Sequence, residues 1–265
     1  MQSRHSSNKP IVIKIGGSTL GSHDTTLDDL VYLQKKGILP VVVHGGGSKI
    51  TEWLKKMGGS TAFVRGMRVT NAATLEVVTA VLAGLVNKEL VAAIMSDGGK
   101  AIGLSGADGG LIQGRMENPE LGYVGQVVKV NAEPVEAILR AGYIPIIAPV
   151  GLKAASVDTD PVKLLNINGD VVASEIAGAL QAERLIFLTD VPGVRDSKSK
   201  FLPRLSAAEA KDMIASGVIS GGMIPKVEAC LNALSRVPST QIVDGRSARA
   251  LLSAIEGKEV GTRIE

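Results

Sequence analysis

Residues 11–18, IVIKIGGS, place one lysine inside a run of apolar and β-branched residues and close that run with two glycines. The run predicts a buried strand of a parallel sheet, and the glycines predict a tight turn whose backbone N–H groups can face an anion. Lys14 is unusual there, because an ammonium group without a partner is costly to bury. The stretch alone leaves two interpretations: an edge strand whose lysine reaches water, or a lysine whose tip lies at an anion site.

Glycine-rich turns also open two later helices. Residues 40–43 predict a second strand, which runs into HGGGS at residues 44–48 and then into a predicted helix over residues 49–57. Strand, glycine loop and helix N-terminus in this order make an anion site. GGMIPK, which ends at Lys226, opens another helix. Because such turns gather outside the carboxyl ends of parallel strands, Lys14 and Lys226 are predicted to converge on one anion.

Strand and helix patterns alternate along the rest of the chain. Further strands are predicted at residues 101–104, 143–150, 185–188 and 241–243. Further helices are predicted over residues 27–36, 133–141 and 248–255 and after the capping box at Ser206. A long helical region through Met95 is also predicted, with Thr70 and Asn71 as its caps and a bend at Gly84. Residues 111–115 and 123–130 predict a hairpin that covers one end of the sheet. The expected fold is α/β, an open, mainly parallel sheet with helices on both faces and no linker between independent domains.

Composition narrows the class of protein. The 265 residues carry a net charge of +3 and only 3% aromatic residues, which does not indicate nucleic-acid binding. Cys230 is the single cysteine, so no internal disulfide can form, and its apolar helical surroundings predict a core thiol. The polar N-terminus lacks a signal sequence, and no apolar run is expected to reach membrane-spanning length. These features predict a soluble cytoplasmic protein.

The candidate chemistry is phosphoryl transfer. The sequence contains neither a P-loop nor a dinucleotide fingerprint, but two lysines and several glycine turns suit a reaction that needs positioning and charge neutralisation. Asp170 either holds the lysines, lies near a metal or caps a helix. Arg68 is either a surface charge or a bidentate carboxylate ligand. With three histidines in all, a histidine metal site is not expected, and His44 can simply hydrogen-bond locally.

Several motifs in this order resemble the amino-acid kinase family from about residue 11 to the C-terminus. They are KIGGS at Lys14, VVVHGGG at Val41, GMRVT at Gly66, NKELV at Asn87, GLSGADGG at Gly103, GYVGQVVKVN at Gly122, NINGD at Asn166, LTDVPGV at Leu188, GGMIPK at Gly221 and GTRI at Gly261. The resemblance implies a three-layer αβα sandwich in a single domain, residues 1–265. Within it, residues 10–180 would bind the acceptor and dimerise, and residues 181–265 would bind the nucleotide.

Within that family, the motifs look like those of members that transfer the γ-phosphoryl group of ATP to the side-chain carboxylate of N-acetyl-L-glutamate. The resemblance implies three catalytic residues, Lys14, Lys226 and Asp170, with Asp170 orienting both lysines. It implies that the acceptor is bound by Gly46, Gly47, Arg68 and Asn166. The implied nucleotide-binding residues are Gly16, Gly17, Thr189, Asp190, Val191, Gly193, Val194, Gly222 and Met223. Mg²⁺ would arrive with ATP, and no dedicated metal site is expected.

Some positions depart from the family pattern. Gly169 stands where alanine is usual, and Leu85 replaces a commonly basic residue, a change without an interpretation. The first strand begins by Ile11, which leaves no room for the N-terminal helix that links dimers in arginine-inhibited hexamers, and residues 246–265 lack the usual arginine-site pattern. The expectation is therefore a homodimer that arginine does not strongly inhibit.

Two other functions fit parts of the sequence. A kinase acting on a carrier-linked aminoadipyl or glutamyl group would share GLVNKELV, AIGLSG and VDGR, although HGGG, GYVGQVVKVN and GGMIPK favour the free acceptor. A non-catalytic amino-acid or nucleotide sensor would have the same fold. Retention of Lys14, Asp170 and Lys226 together argues against a sensor.

Overall fold

The computed structural model describes residues 9–17, 25–64, 66–116, 118–154 and 161–265. Ser18, which ends the opening stretch, and the first eight residues of the polar N-terminus lie outside the described residues. All the predicted site residues lie within them.

The main sheet has eight strands and is mostly parallel, as the sequence predicts. In spatial order they are β12 (Arg204–Leu205), β14 (Thr262–Ile264), β13 (Thr240–Asp244), β11 (Arg184–Thr189), β1 (Ile11–Ile15), β2 (Pro40–His44), β8 (Ile144–Ala148) and β5 (Ala101–Ser105). Among the described residues of this sheet, β13 and β14 form the one antiparallel pair. Strand β1 pairs with β11 on one side and β2 on the other, so the edge-strand interpretation of Lys14 is wrong. Short strands β12 and β14 have too little pattern to be predicted.

Helices cover both faces of this sheet. They are α1 (Thr26–Lys35), α2 (Gly47–Lys56), α3 (Ala72–Thr79), α4 (Asn87–Ser96), α5 (Glu133–Arg140), α6 (Gly169–Ala179), α7 (Ala207–Ala215), α8 (Ile224–Leu234) and α9 (Ala250–Ile255). Side chains of β1 alternate between the faces. Ile13 packs in one apolar cluster with residues of α1, α4 and α9, and Val12 packs in the other with residues of α6 and α8. The three-layer αβα fold is therefore confirmed.

A small closed barrel stands beside the main sheet. The predicted hairpin is confirmed as the antiparallel pair β6 (Ile112–Met116) and β7 (Val124–Val130). Two strands that the sequence analysis did not predict, β9 (Val150–Lys153) and β10 (Leu164–Ile167), close it into a four-stranded barrel. Strand β10 pairs with both β7 and β9, and this pairing places Asn166. A further two-residue pair, β3 (Phe63–Val64) and β4 (Met67–Arg68), carries Arg68.

Residues 72–96 form one continuous helical stretch in which a π-helical segment, Ala80–Val86, joins α3 to α4. Gly84, predicted to bend the helix, lies in this π segment. The stretch has 25 residues and contains an 18-residue window with a mean hydropathy of 1.8, so by length and composition it could cross a membrane. The expectation that no apolar run reaches that length is therefore wrong. Its buried residues, Val78 and Ile94 among them, join the apolar cluster with β1 and β8.

The N-termini of α3 and α7 are capped by residues that the sequence predicts. Asn71 accepts a hydrogen bond from the Thr74 N–H and is the N-cap of α3, and Ser206 forms the predicted capping box with α7.

Cys230, on α8, is completely buried, and burial raises the pKa of its thiol to about 12. The prediction of a core thiol is confirmed.

Candidate active site

Asp170 joins the two lysines that the sequence predicts to converge. Its carboxylate oxygens lie 2.7 Å from Lys14 Nζ and 3.2 Å from Lys226 Nζ, one oxygen to each lysine. Asp170 is the second residue of α6, and Asn168, not Asp170, is the N-cap, because the Asn168 side chain accepts a hydrogen bond from the Asp170 N–H. A carboxylate in the first turn is also favoured by the helix dipole. The interpretation of Asp170 as an ordinary cap is therefore wrong.

The charge state of this cluster follows from its burial. Burial alone would raise the pKa of the Asp170 carboxyl, but the ammonium groups of Lys14 and Lys226 outweigh that effect and hold the pKa below its usual value. Asp170 is therefore ionised at neutral pH. With one carboxylate between two cations, the cluster keeps an excess positive charge for an anionic ligand.

The glycine turns after β1 and β2 lie against each other. A Cβ on Gly17 would lie 3.0 Å from the backbone nitrogen of Gly46, and one on Gly46 would lie 2.6 Å from Leu82 Cδ2. Side chains at these positions would therefore push the two turns, or the π segment, apart. Gly46 is the N-cap of α2 and Gly47 its first residue, so free N–H groups of the helix N-terminus lie in this region. This is the anion-binding geometry that the glycine loop predicts.

Arg68 is buried, with 7% of its surface exposed. Its Nη2 donates hydrogen bonds to the Gly47 carbonyl oxygen and to Thr51 Oγ1, each at 2.9 Å, and its guanidinium lies 4.8 Å from the Phe63 ring centroid. Its Nη1 is buried and has no hydrogen-bond partner among the described residues. Leaving a buried donor unpaired is costly, so this nitrogen is suited to a ligand oxygen. The interpretation of Arg68 as a surface charge is wrong.

One cavity of about 380 Å³ brings these groups together. Its lining includes all three predicted catalytic residues and all four predicted acceptor-binding residues: Lys14, Gly46, Gly47, Arg68, Asn166, Asp170 and Lys226. Its charged lining residues are three cations and one carboxylate. A cavity of this size and charge fits a small acceptor with more than one negative group.

The predicted nucleotide-binding residues do not line this cavity. Thr189 ends β11 and is buried, whereas Asp190 beside it is exposed. The Val194 N–H donates to Thr262 Oγ1 at 2.7 Å, which fixes the loop at residues 189–194 to β14. Gly222 and Met223 lie in the short 3₁₀ turn before α8, the helix that carries Lys226. Gly16 and Gly17 follow β1 directly after Lys14.

A family model, the amino acid kinase family, matches residues 9–244. The chain belongs to the amino acid kinase family.

Named relatives and a solved structure agree with this membership. The chain is 48% identical to an acetylglutamate kinase of Dehalococcoides mccartyi over 264 residues, 100% of this chain and 97% of the relative. It is 46% identical to an acetylglutamate kinase of Cereibacter sphaeroides, over 92% of this chain and 83% of the relative. A crystal structure of a Streptococcus mutans protein superposes with a TM-score of 0.81 at 28% identity, over 97% of this chain and 99% of that one.

This amino acid kinase holds a buried histidine beneath the glycine loop. His44 Nδ1 lies 2.9 Å from the Gly45 carbonyl oxygen and therefore carries the proton, while Nε2 lies 3.2 Å from the Asn87 amide nitrogen. Asn87 cannot turn its oxygen toward His44, because that oxygen accepts a hydrogen bond from Lys88 Nζ and its nitrogen donates to the Ile146 carbonyl. His44 is therefore neutral, with Nε2 as an acceptor.

The buried imidazole predicts acid sensitivity. Burial, with the charges of Lys14 and Lys88, lowers the pKa of His44 from 6.5 to about 4, against an opposing hydrogen bond to Gly45. Below pH 6.5 the unfolded chain binds a proton at His44 before the folded protein does. The free energy of unfolding therefore keeps its full value above pH 6.5 and falls by about 3 kcal/mol as the pH is lowered to 4. Urea unfolding at pH 7 and pH 4 should show that His44→Gln loses about 3 kcal/mol less than the wild type over this interval. Equal losses in the two proteins would contradict this assignment.

Gly169 has room for an alanine side chain. It is the first residue of α6, and an added Cβ would lie 3.5 Å from Lys14 Cε, which is an ordinary contact. Gly169→Ala should therefore raise the free energy of unfolding by about 0.5–1 kcal/mol and leave turnover within about twofold. The matched control is Gly142→Ala, where φ is +80°, and it should lower the free energy of unfolding by about 1 kcal/mol. A destabilised Gly169→Ala protein would show that the helix start cannot take a side chain.

No group of three or more His, Cys, Asp or Glu residues is placed to hold a metal ion in the part of this kinase that the structure describes. Asp170 gives one oxygen to each lysine.

Sequence reasoning missed three residues that hold this site together: Thr51, Thr70 and Asn87. Thr51 supports Arg68, Asn87 supports His44, and Thr70 accepts a hydrogen bond from Asn166. Thr70 was expected as a helix cap, but Asn71 has that role. No local pattern identifies these contacts, because their partners lie 17, 43 and 96 positions away along the chain.

Proposed function

We propose that this kinase transfers the γ-phosphoryl group of ATP to the side-chain carboxylate of N-acetyl-L-glutamate, giving N-acetyl-L-glutamyl 5-phosphate, the second step of arginine biosynthesis. Its curated relatives at 43–48% identity are named acetylglutamate kinases. The observation that carries the proposal is one cavity lined both by the Lys14–Asp170–Lys226 cluster and by Arg68, whose buried Nη1 has no hydrogen-bond partner among the described residues.

In the proposed reaction an oxygen of the acceptor side-chain carboxylate bonds to the γ-phosphorus while the bond from that phosphorus to the bridging oxygen of ADP breaks. No proton moves, because the attacking carboxylate is already ionised. Charge in the loose transition state spreads over the phosphoryl oxygens. Lys14 and Lys226 neutralise this charge, and Asp170 fixes both ammonium groups in place before substrate arrives.

Acceptor recognition uses other residues that line the same cavity. Arg68 Nη1 donates to the α-carboxylate, and because Nη2 is already held by Gly47 and Thr51, the guanidinium is oriented in advance. Asn166 binds the acetamido group. Backbone N–H groups of Gly46 and Gly47, at the N-terminus of α2, face the reacting carboxylate and phosphoryl group.

ATP binds beside the cavity, at the carboxyl ends of β1 and β11. The nucleotide-binding residues of this proposal are Gly16, Gly17, Thr189, Asp190, Val191, Gly193, Val194, Gly222 and Met223. Mg²⁺ would enter with ATP, whose own phosphate oxygens would hold it, and it would supply further positive charge for the transferring phosphoryl group. In this proposal residues 10–180 form the acceptor-binding lobe and residues 181–265 the nucleotide-binding lobe of a single domain. The β1–β11 pair joins the two lobes within one sheet.

We also propose that the kinase is a cytoplasmic homodimer that arginine does not strongly inhibit. Gel filtration of the intact chain should give the mass of a dimer, and ATP turnover should change by less than about twofold with millimolar arginine. A hexameric mass would contradict the dimer. Strong inhibition by arginine would contradict the second part alone.

The test of the reaction is ADP release with MgATP against free acceptors, with hydroxylamine present to trap any acyl phosphate. The acceptors are N-acetyl-L-glutamate, L-glutamate, L-aspartate, N-acetyl-L-aminoadipate, carbamate and UMP. Selective turnover of N-acetyl-L-glutamate supports the proposal. If no free acceptor supports ADP release while ATP still binds, the proposal is overturned. A kinase for a carrier-bound substrate or a sensor then remains as the alternative.

A further inference from the structure

Thr70 lies between the two residues that recognise the acceptor. Its side-chain oxygen is completely buried, donates a hydrogen bond to the Arg68 carbonyl oxygen at 2.8 Å and lies 3.0 Å from Asn166 Nδ2. A hydroxyl has one proton, and here that proton is committed to a carbonyl, which can only accept. The Thr70 oxygen must therefore accept from Asn166, and this fixes the amide nitrogen of Asn166 on the Thr70 side.

Backbone hydrogen bonds hold Thr70 against residues 121–123, which are bonded in turn to Asn166. Its N–H donates to the Leu121 carbonyl at 2.9 Å, and its own carbonyl accepts from the Tyr123 N–H at 2.7 Å. The Tyr123 carbonyl in turn accepts from the Asn166 N–H at 2.9 Å. Gly122 between them has a φ of +67° and no room for a Cβ against the Thr70 carbonyl. The hydroxyl therefore cannot drift away from Asn166 without breaking a turn that ties β4, β7 and β10 together.

We propose that Thr70 is a positioning residue that makes Asn166 present its carboxamide oxygen to the acceptor, and so selects an acceptor with an N–H group at that position. The inference rests on the proposed function and deepens it. Asn166 lines the cavity, and with one N–H of its nitrogen held by Thr70, the carboxamide oxygen lies on the side of the amide away from Thr70 and is the acceptor available to a ligand. An oxygen at this point accepts from an amide N–H and repels an ester or ketone oxygen.

The positive charge of the cavity distinguishes between acceptors with a free α-ammonium group and those with an acylated one. A free amino acid also has N–H groups, but its ammonium would enter a cavity with three cations, Lys14, Arg68 and Lys226, against the single carboxylate of Asp170. An uncharged amide satisfies the Asn166 oxygen without this repulsion. The site therefore selects an acylated α-amino group over a free one, with hydrogen-bond polarity set by Thr70 and charge set by the lysines and the arginine.

The test compares two acceptors in three proteins. N-acetyl-L-glutamate and its ester analogue 2-acetoxyglutarate, in which an oxygen replaces the N–H, are assayed with the wild type, Thr70→Val and Thr70→Ser. The wild type should prefer the amide by at least about 10-fold in kcat/KM, because the ester leaves the Asn166 oxygen facing another acceptor. Valine keeps the shape of threonine and removes the hydroxyl, so the Asn166 amide can turn over.

For Thr70→Val we expect about a 10-fold or greater loss in kcat/KM for the amide acceptor, a preference below about threefold, and a KM for MgATP within about twofold of wild type. Thr70→Ser retains the hydroxyl and should stay within about threefold of the wild type in every parameter. A purely structural role would move both KM values together and leave the preference intact, which would overturn the inference.

The wild-type assay separates the two proposals. Turnover of N-acetyl-L-glutamate without preference over the ester overturns the role of Thr70 and leaves the proposed function standing. No turnover of N-acetyl-L-glutamate overturns the proposed function itself. The wild-type preference therefore tests the inference even if Thr70→Val does not fold, and Thr70→Ala supplies a second variant without the hydroxyl.

Discussion

Lys14→Ala is expected to lower kcat for phosphoryl transfer by about 10²- to 10³-fold, with a smaller change in the KM for either substrate. The ammonium group is held 2.7 Å from Asp170 in a buried site, so its charge is in place before the transition state forms. Removing one such group costs about 3–4 kcal/mol of transition-state stabilisation. Steady-state ADP release with saturating MgATP and N-acetyl-L-glutamate measures the effect.

The matched control is Lys49→Ala. Lys49 lies in the first turn of α2, just after the glycine loop, but its side chain is 48% exposed and forms an exposed ion pair with Glu52 at 3.6 Å. Its replacement should leave kcat within about twofold, because an exposed ion pair contributes little. Near-normal turnover of the Lys14→Ala protein would contradict the catalytic role of Lys14. A large loss in the control would mean that general positive charge, and not the Asp170 cluster, carries the effect.

Asp170→Asn is expected to damage both stability and turnover. The carboxylate is 7% exposed and is the shared partner of Lys14 and Lys226. Without its charge, two ammonium groups face each other across a buried site, which should lower the free energy of unfolding by about 3–5 kcal/mol. Turnover should fall at least about 10²-fold, because the lysines lose the partner that orients them. Urea unfolding at pH 7 and the ADP-release assay measure the two effects.

A double variant separates these two effects. Lys14→Met combined with Asp170→Leu removes the buried pair together, so most of the lost stability should return, since well-packed apolar residues can replace a buried ion pair at little cost. Turnover should stay at the low level of Asp170→Asn. The exposed Asp212→Asn change on α7 is the control, expected within about 0.5 kcal/mol of wild type. An Asp170→Asn protein as stable as wild type would contradict the charge argument.

Strands and helix ends that are defined by neighbouring residues can be predicted from the sequence. Apolar runs closed by glycine predict β1 and β2, and the Ser206 capping box predicts the start of α7, because each signal lies within a few residues of the element that it defines. The sequence also predicts that Lys14 and Lys226 lie close to each other. Turns of a parallel sheet collect at one edge, whatever their separation along the chain.

Other features depend on contacts that no local pattern encodes. The β6–β7 hairpin has an alternating pattern, but β9 and β10 have only four residues each and become strands by completing a barrel with it. Whether Arg68 faces water or a cavity depends on Thr51 and Phe63, and the orientation of the Asn166 amide depends on Thr70. Such choices are made by tertiary packing, which propensities do not contain.

The burial of Cys230 gives this protein a built-in reporter of unfolding. Thiol reagents such as dithiobis-nitrobenzoate react with the thiolate, and a thiol with a pKa of about 12 is ionised in only about one molecule in ten thousand at pH 8. Labelling must therefore wait until α8 leaves the sheet. Because Cys230 is the single cysteine, the labelling rate reads out that opening in every variant without added mutations. A variant that loses turnover but labels as slowly as wild type has lost chemistry and kept its packing.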